Sequence, residues 1–150
     1  MGHALYSADM NDVTTTTRLG QFIQSLHAVE ARLEAAIEPL GLSLAKFGAL
    51  AQLAAAGEPL PLSTLAERRA CVRSNITQLV DRLEADGLVK RSDDPRDRRS
   101  VRAELTETGR SRYEAGLQAL ATAERELFEP LGNPQRDKLL ELLAALREPR

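Results

Sequence analysis

The chain has 150 residues, enough for one domain with a substantial core. It contains no run of about eighteen apolar residues, which excludes a membrane-spanning helix of ordinary composition, and residues 1–11 lack the basic and apolar regions of a secretory signal. The formal charge of −2 speaks against a generic polyanion binder, and a single cysteine, Cys71, excludes an internal disulfide.

Residues 1–13 are polar and unpatterned and are expected to form a mobile tail. From Thr14 to Ile37 the apolar residues Phe22, Ile23, Leu26, Val29, Leu33 and Ile37 recur at three- and four-residue steps. That spacing predicts an amphipathic helix, closed by Pro39 and Gly41. Ser43 is the expected N-cap of a second helix holding Leu44, Phe47, Leu50, Ala51 and Leu53, and Gly57-Glu58-Pro59 is its stop. Leu60 and Leu62 suit a very short strand. Ser63 or Thr64 is expected to cap a third helix, since Thr64-x-x-Glu67 has capping-box spacing, with Leu65 and Ala66 turned inward. Arg69-Ala70-Cys71-Val72 reads as a turn. A fourth helix follows from about Arg73 to Asp86, with Gly87 as its stop. Leu88–Arg91 and Val101–Leu105 alternate as paired strands do, joined by a loop too polar for a core. Thr106 caps a long helix reaching about Phe128. Pro130, Gly132, Asn133 and Pro134 interrupt the chain before a last helix, about Gln135 to Arg147, that is rich in leucine.

The order helix, turn, helix, strand, loop, strand is that of a winged helix-turn-helix, and the fold class expected is mainly α with a small β-wing. On the fourth helix, Val72, Leu79, Val80 and Leu83 fall within about 60° of Ile76 at 100° per residue, so they form the buried stripe. Ser74, Thr77, Gln78 and Asp81 fall opposite, with Asn75 and Arg82 on one flank and Arg73 on the other. Short hydroxyl and amide side chains near a helix N-terminus suit base edges and phosphates in a major groove. The loop between the strands carries Arg96, Arg98 and Arg99, whose planar forks suit phosphates and narrow minor grooves. Asp97 would repel DNA unless it is engaged within the loop, and its expected role is to fix Arg99. Arg68–Arg112 holds twelve basic and eight acidic residues, a local +4 on a body of −6. Such a distribution steers one face toward nucleic acid.

These motifs resemble the MarR family of bacterial transcriptional regulators. The resemblance rests on Leu65-Ala66-Glu67, on Ser74 to Val89, on the wing Asp94-Pro95-Arg96-Asp97-Arg98-Arg99, and on Leu105-Thr106-Glu107-Thr108-Gly109. It covers roughly residues 42–109 by motif and nearly the whole chain by helix order. It places the family's Asp-x-Arg wing element on Asp97 and Arg99. It implies a homodimer in which the N- and C-terminal helices interlock, with winged heads on a near-palindromic promoter site. It also implies repression relieved by a small, often phenolic or anionic, ligand bound between the two regions. The expected division is a tail at 1–13, a dimerisation region at 14–41 and 107–150, and a DNA-binding region at 42–106. The residues support the dimer independently, because leucine-rich terminal helices would expose apolar surface in a monomer.

The expected partners are double-stranded DNA, a second copy of the chain and a small-molecule effector. No membrane partner is expected, and the expected location is the cytoplasm. Phe22, His27 and Phe47 are the candidate effector contacts. Cys71 carries two readings, a small packing residue before the recognition helix or the oxidation switch of a redox-responsive regulator, without a second cysteine to resolve a sulfenic acid. Another alternative is a winged-helix module that binds protein. An enzyme is not expected, since no nucleophile with a base, metal-ligand cluster or glycine-rich phosphate loop is visible, and no metal or cofactor follows.

Overall fold

The computed structural model describes residues 17–69 and 73–147, with side chains from Asn75 onward in the second stretch. The chain divides into two compact units. Helix α1 spans Arg18–Ile37 and is followed by a 3-10 turn at Glu38–Leu40. Helix α2 spans Leu44–Ala56, strand β1 Leu60–Pro61, helix α3 Leu62–Arg68 and helix α4 Arg73–Ala85. Strands β2 (Val89–Asp94) and β3 (Asp97–Leu105) precede helix α5 (Glu107–Phe128) and helix α6 (Asn133–Arg147).

One unit comprises residues 36–122 and holds the core. Leu50 and Leu53 of α2, Leu65 and Ala66 of α3, and Ile76, Val80 and Leu83 of α4 are buried together with Leu60, Leu88, Val89 and Ala103 of the sheet region. The stripe expected on α4 is therefore its buried face, with Leu79 partly buried beside it. Val72 and Cys71 lie outside the described residues.

Caps set the helix ends. Ser43 Oγ accepts the Lys46 N–H at 3.2 Å, which satisfies one of the orphan donors at the start of α2. Ser43→Ala is expected to cost about 1 kcal/mol, read as a fall of a few degrees in thermal midpoint with unchanged helix content. At the far end of α4, Gly87 adopts φ 72°. Its amide donates to Glu84 O at 2.9 Å and that of Leu88 to Leu83 O at 2.9 Å, a Schellman closure with Leu83 and Leu88 both buried.

The sheet has the order β1-β3-β2, antiparallel throughout. Pro61 sits on the edge strand, where its missing donor is harmless. The hairpin is longer than the alternation predicted. β2 and β3 run to Asp94 and Asp97, which pair across a two-residue turn, Pro95-Arg96, with a register irregularity between Asp93 and Asp94.

Helix α3 corrects another expectation. It starts at Leu62, with Pro61 at its N-cap position and no side-chain cap bond. Ser63 and Thr64 therefore lie in its first turn. The pairing of Leu60 with Ala103 and of Pro61 with Arg102 aims the chain before the local capping signal is reached. Leu62 is consequently helical rather than part of a strand.

The other unit comprises the described parts of residues 1–35 and 123–150. Arg136 closes the end of α5, its Nε donating to Leu131 O at 3.0 Å and its Nη2 to Phe128 O at 2.9 Å. Helix α6 begins at Asn133, two residues earlier than the leucine periodicity implied, because Pro134 fits a first helical turn without loss. No residue of α6 is buried, and Leu140 and Leu146 are 56% and 69% exposed. On α1, Phe22 and Leu26 are also exposed. Among the described residues, no single helix is long and apolar enough to cross a membrane.

Candidate nucleic-acid interface

Burial of Ile76, Val80 and Leu83 fixes the rotation of α4 and turns the opposite side outward. Asn75, Gln78 and Arg82 are exposed there, as is Asp81. Thr77 is half-buried and faces the hairpin. Arg73 and Ser74 occupy the first turn of α4, and their side chains lie outside the described residues.

The hairpin presents Arg96, Asp97, Arg98 and Arg99, all exposed, at and beside its tip. Two aspartates shape that tip. Asp94 Oδ1 accepts the Arg96 N–H at 2.9 Å, and Asp97 Oδ1 accepts the Arg99 N–H at 3.0 Å. These are the short-range side-chain-to-backbone bonds that Asp makes two residues on. Asp97 thus does fix Arg99, through the main-chain amide, which leaves the guanidinium free of that carboxylate.

Helix and wing meet at a cleft of about 230 Å³ lined by Leu62, Ser63, Thr77, Arg91, Arg99, Ser100 and Val101. Thr77 from the helix and Arg99 from the wing therefore share one concavity. A second groove of about 500 Å³ sits on the flank of the tip, where Arg68, Arg96 and Arg102 accompany Glu58 and Asp94. Five arginines, Arg68, Arg91, Arg96, Arg99 and Arg102, line these two depressions.

Sequence reasoning missed Arg91. Its guanidinium pairs with Asp81 Oδ1 and its Nε lies 3.4 Å from Glu84 Oε2. A signal was present: Arg91 shares the strand face of the buried Val89, two residues away, and a cation on an inward-facing position needs a partner. Lys90, on the opposite face, pairs with Glu104 across the hairpin at 3.1 Å. Lys46 of α2 pairs with Asp86 at 2.6 Å, just past the end of α4.

The three candidate effector contacts are placed differently. Phe47 belongs to the core-bearing unit and stacks on Tyr113, with ring centroids 5.5 Å apart. Phe22 and His27 belong to the other unit, exposed on α1. Cys71 falls outside the described residues. Among the described residues, no group of three or more His, Cys, Asp or Glu side chains is arranged to hold a metal ion.

Residues 40–100 match a model of the MarR family. The chain is similar to the uncharacterized HTH-type transcriptional regulator YkoM of Bacillus subtilis strain 168, with 32% identity over 103 residues, 69% of this chain and 66% of that protein. It thus spans just under two thirds of that relative's length. Among solved structures, it resembles a probable transcriptional regulator from Pseudomonas aeruginosa, with TM-score 0.77 and 30% identity over 88% of this chain and 98% of that one. It also resembles the transcriptional repressor CouR bound to a 23-mer DNA duplex, with TM-score 0.79 and 29% identity over 89% of this chain and 94% of that one.

Proposed function

The chain belongs to the MarR family, and from that premise we propose that it is a homodimeric regulator of transcription that binds a near-palindromic promoter site in duplex DNA. Each protomer lays α4 in a major groove and its β2–β3 hairpin against the neighbouring minor groove. Asn75, Thr77, Gln78 and Arg82, with Arg73 and Ser74 in the first turn, are the reading residues. Arg96, Arg98 and Arg99 grip the backbone and minor groove, and Asp97 holds the loop that carries them.

One observation supports this reading above the others. Thr77 of α4 and Arg99 of the wing line a single cleft, so a hydrogen-bonding group of the helix and a cation of the wing lie side by side. Phosphate contacts position such a protein, and contacts to base edges specify its site. The duplex DNA bound to CouR, a protein of similar fold, agrees with the assignment.

The dimer is supported by the leucines of α6 and the apolar residues of α1 that stand open to solvent. A two-fold pair would set its reading heads about one helical turn of DNA apart. Regulation is repression, relieved by a small phenolic or anionic effector that alters the angle or spacing of the two heads so that both cannot dock together. Phe22, His27 and Phe47 are its candidate contacts.

The test is binding of the purified protein to a labelled fragment of its own upstream region, followed by fluorescence anisotropy across a salt series. Affinity falls steeply with salt, in proportion to the phosphates neutralised. Absence of binding at low ionic strength overturns the proposal. Gln78→Ala in the same assay is expected to reduce preference for the cognate site over a single-base variant by about tenfold, with little change in binding to unrelated duplex. A uniform loss across all sequences would remove Gln78 from base reading.

A further inference from the structure

The outward side of α4 carries carboxylates where a DNA-reading helix should repel its ligand. Asp81 and Glu84 lie one turn apart and both are exposed. A single cation answers both. Arg91 on β2 pairs through Nη2 with Asp81, and its buried Nε lies 3.4 Å from Glu84 Oε2, an ion-pair contact without hydrogen-bond geometry. The main chain beneath it is anchored in the sheet, since Arg91 is in register with the fully buried Ala103 and lies two residues past the buried Val89. Its side chain is only 28% exposed, so the pair is less screened by water than one at the tip of a loop. Among the described residues, Arg96, Arg98 and Arg99 have no such ion pair.

We propose that Arg91 is a positioning residue for DNA reading: it neutralises the groove-side carboxylate of α4 and pins that helix to the hairpin. Resting on the DNA-binding reading above, this adds a division of labour among the arginines. Arg91 is committed inward, and the wing arginines remain for the ligand. Through it the reading helix and the wing move as one surface, because Asp81, one turn from Gln78 and Thr77, is fastened to the strand that leads to the wing tip. Loss of Arg91 would leave two carboxylates uncompensated beside phosphate and free α4 to shift against the hairpin.

The experiment is a double-mutant cycle on DNA affinity, with the full-length protein and a duplex from its own upstream region, at a temperature well below each variant's thermal midpoint. Arg91→Met is expected to weaken binding about tenfold in the otherwise unchanged protein, and less than about threefold when Asp81→Asn and Glu84→Gln are already present. Arg91→Lys keeps the charge but cannot span both carboxylates, so its loss lies between. If Arg91→Met fails to fold, Arg91→Lys in the two backgrounds carries the same comparison. A role in folding alone would shift the thermal midpoint and leave the affinity of the folded protein unchanged. Equal losses in both backgrounds, or no loss in either, overturn the proposal while the DNA-binding reading stands. An unmodified protein that ignores duplex DNA at low ionic strength overturns both.

Discussion

Gly109→Ala is expected to destabilise the protein by about 3 kcal/mol, at the upper end for forcing an extra methyl into a packed site. For a chain of this length that corresponds to a thermal midpoint lower by roughly 6–12 °C. The sign is not obvious from helix propensity, since alanine inside a helix is favoured over glycine by about 1 kcal/mol. Space decides against it. Gly109 is buried in the first turn of α5, and a Cβ there would collide with the carbonyl oxygen of Leu88, with the Leu88 carbonyl carbon at 2.8 Å and its Cα at 3.2 Å. The obstacle is main chain and cannot turn aside. Leu88 O accepts the Thr106 N–H at 3.1 Å, and Leu88 N–H donates to Leu83 O at 2.9 Å. Thr106 Oγ1 donates to Gly87 O at 2.6 Å and accepts the Gly109 N–H at 2.9 Å. The Leu105-Thr106-Glu107-Thr108-Gly109 stretch is therefore a joint in which the end of α4, the root of the hairpin and the start of α5 meet at van der Waals distance. Thermal or urea denaturation checks the prediction. A midpoint that stays the same or rises would mean that the joint has room to open.

The same joint shows how far local sequence signals reach. Thr106, Gly87 and Ser43 act where cap chemistry places them, because a cap depends on a few neighbouring residues and little else. The buried stripe of α4 is legible for a similar reason: Ile76, Val80 and Leu83 repeat with the helical period. Helix α3 is not legible to its residue, since a pairing forty residues away, Leu60 with Ala103, sets its start and outranks the Thr64-x-x-Glu67 pattern. The hairpin outruns its apolar alternation because its distal half, Ser92 to Asp97, is held by main-chain pairing and by the aspartate bonds at the tip. Among the site residues, the exposure of Asn75, Gln78 and Arg82 on α4 and of the wing arginines follows from periodicity and composition, whereas Thr77, expected opposite the buried stripe, is half-buried against the hairpin. For Arg91 the strand alternation shows only that an inward-facing cation needs a partner; that Asp81 and Glu84 supply it depends on which strand lies beside α4, a tertiary fact that charge patterning along the chain does not record.

Replacing Arg96 and Arg99 together by alanine is expected to lower affinity for duplex DNA on the order of hundredfold at physiological salt, with the slope of log K against log salt reduced by about 3 to 4. The estimate counts two backbone or minor-groove contacts per protomer and two protomers, each contact releasing about 0.9 of a counterion. Folding should be untouched, for a structural reason. The bonds that shape the tip use the main-chain amides of Arg96 and Arg99, which alanine retains, and both side chains are exposed. The double variant consequently separates binding from stability, whereas Asp97→Ala would remove the bond to the Arg99 amide and disturb the shape of the tip together with that arginine. The loss should be nearly the same for cognate and unrelated duplex, because phosphate contacts carry no sequence information. Anisotropy titrations at several salt concentrations, paired with a thermal melt, decide the matter. Unchanged affinity and unchanged slope would mean that the hairpin does not touch DNA, and binding would then have to rest on α4 alone.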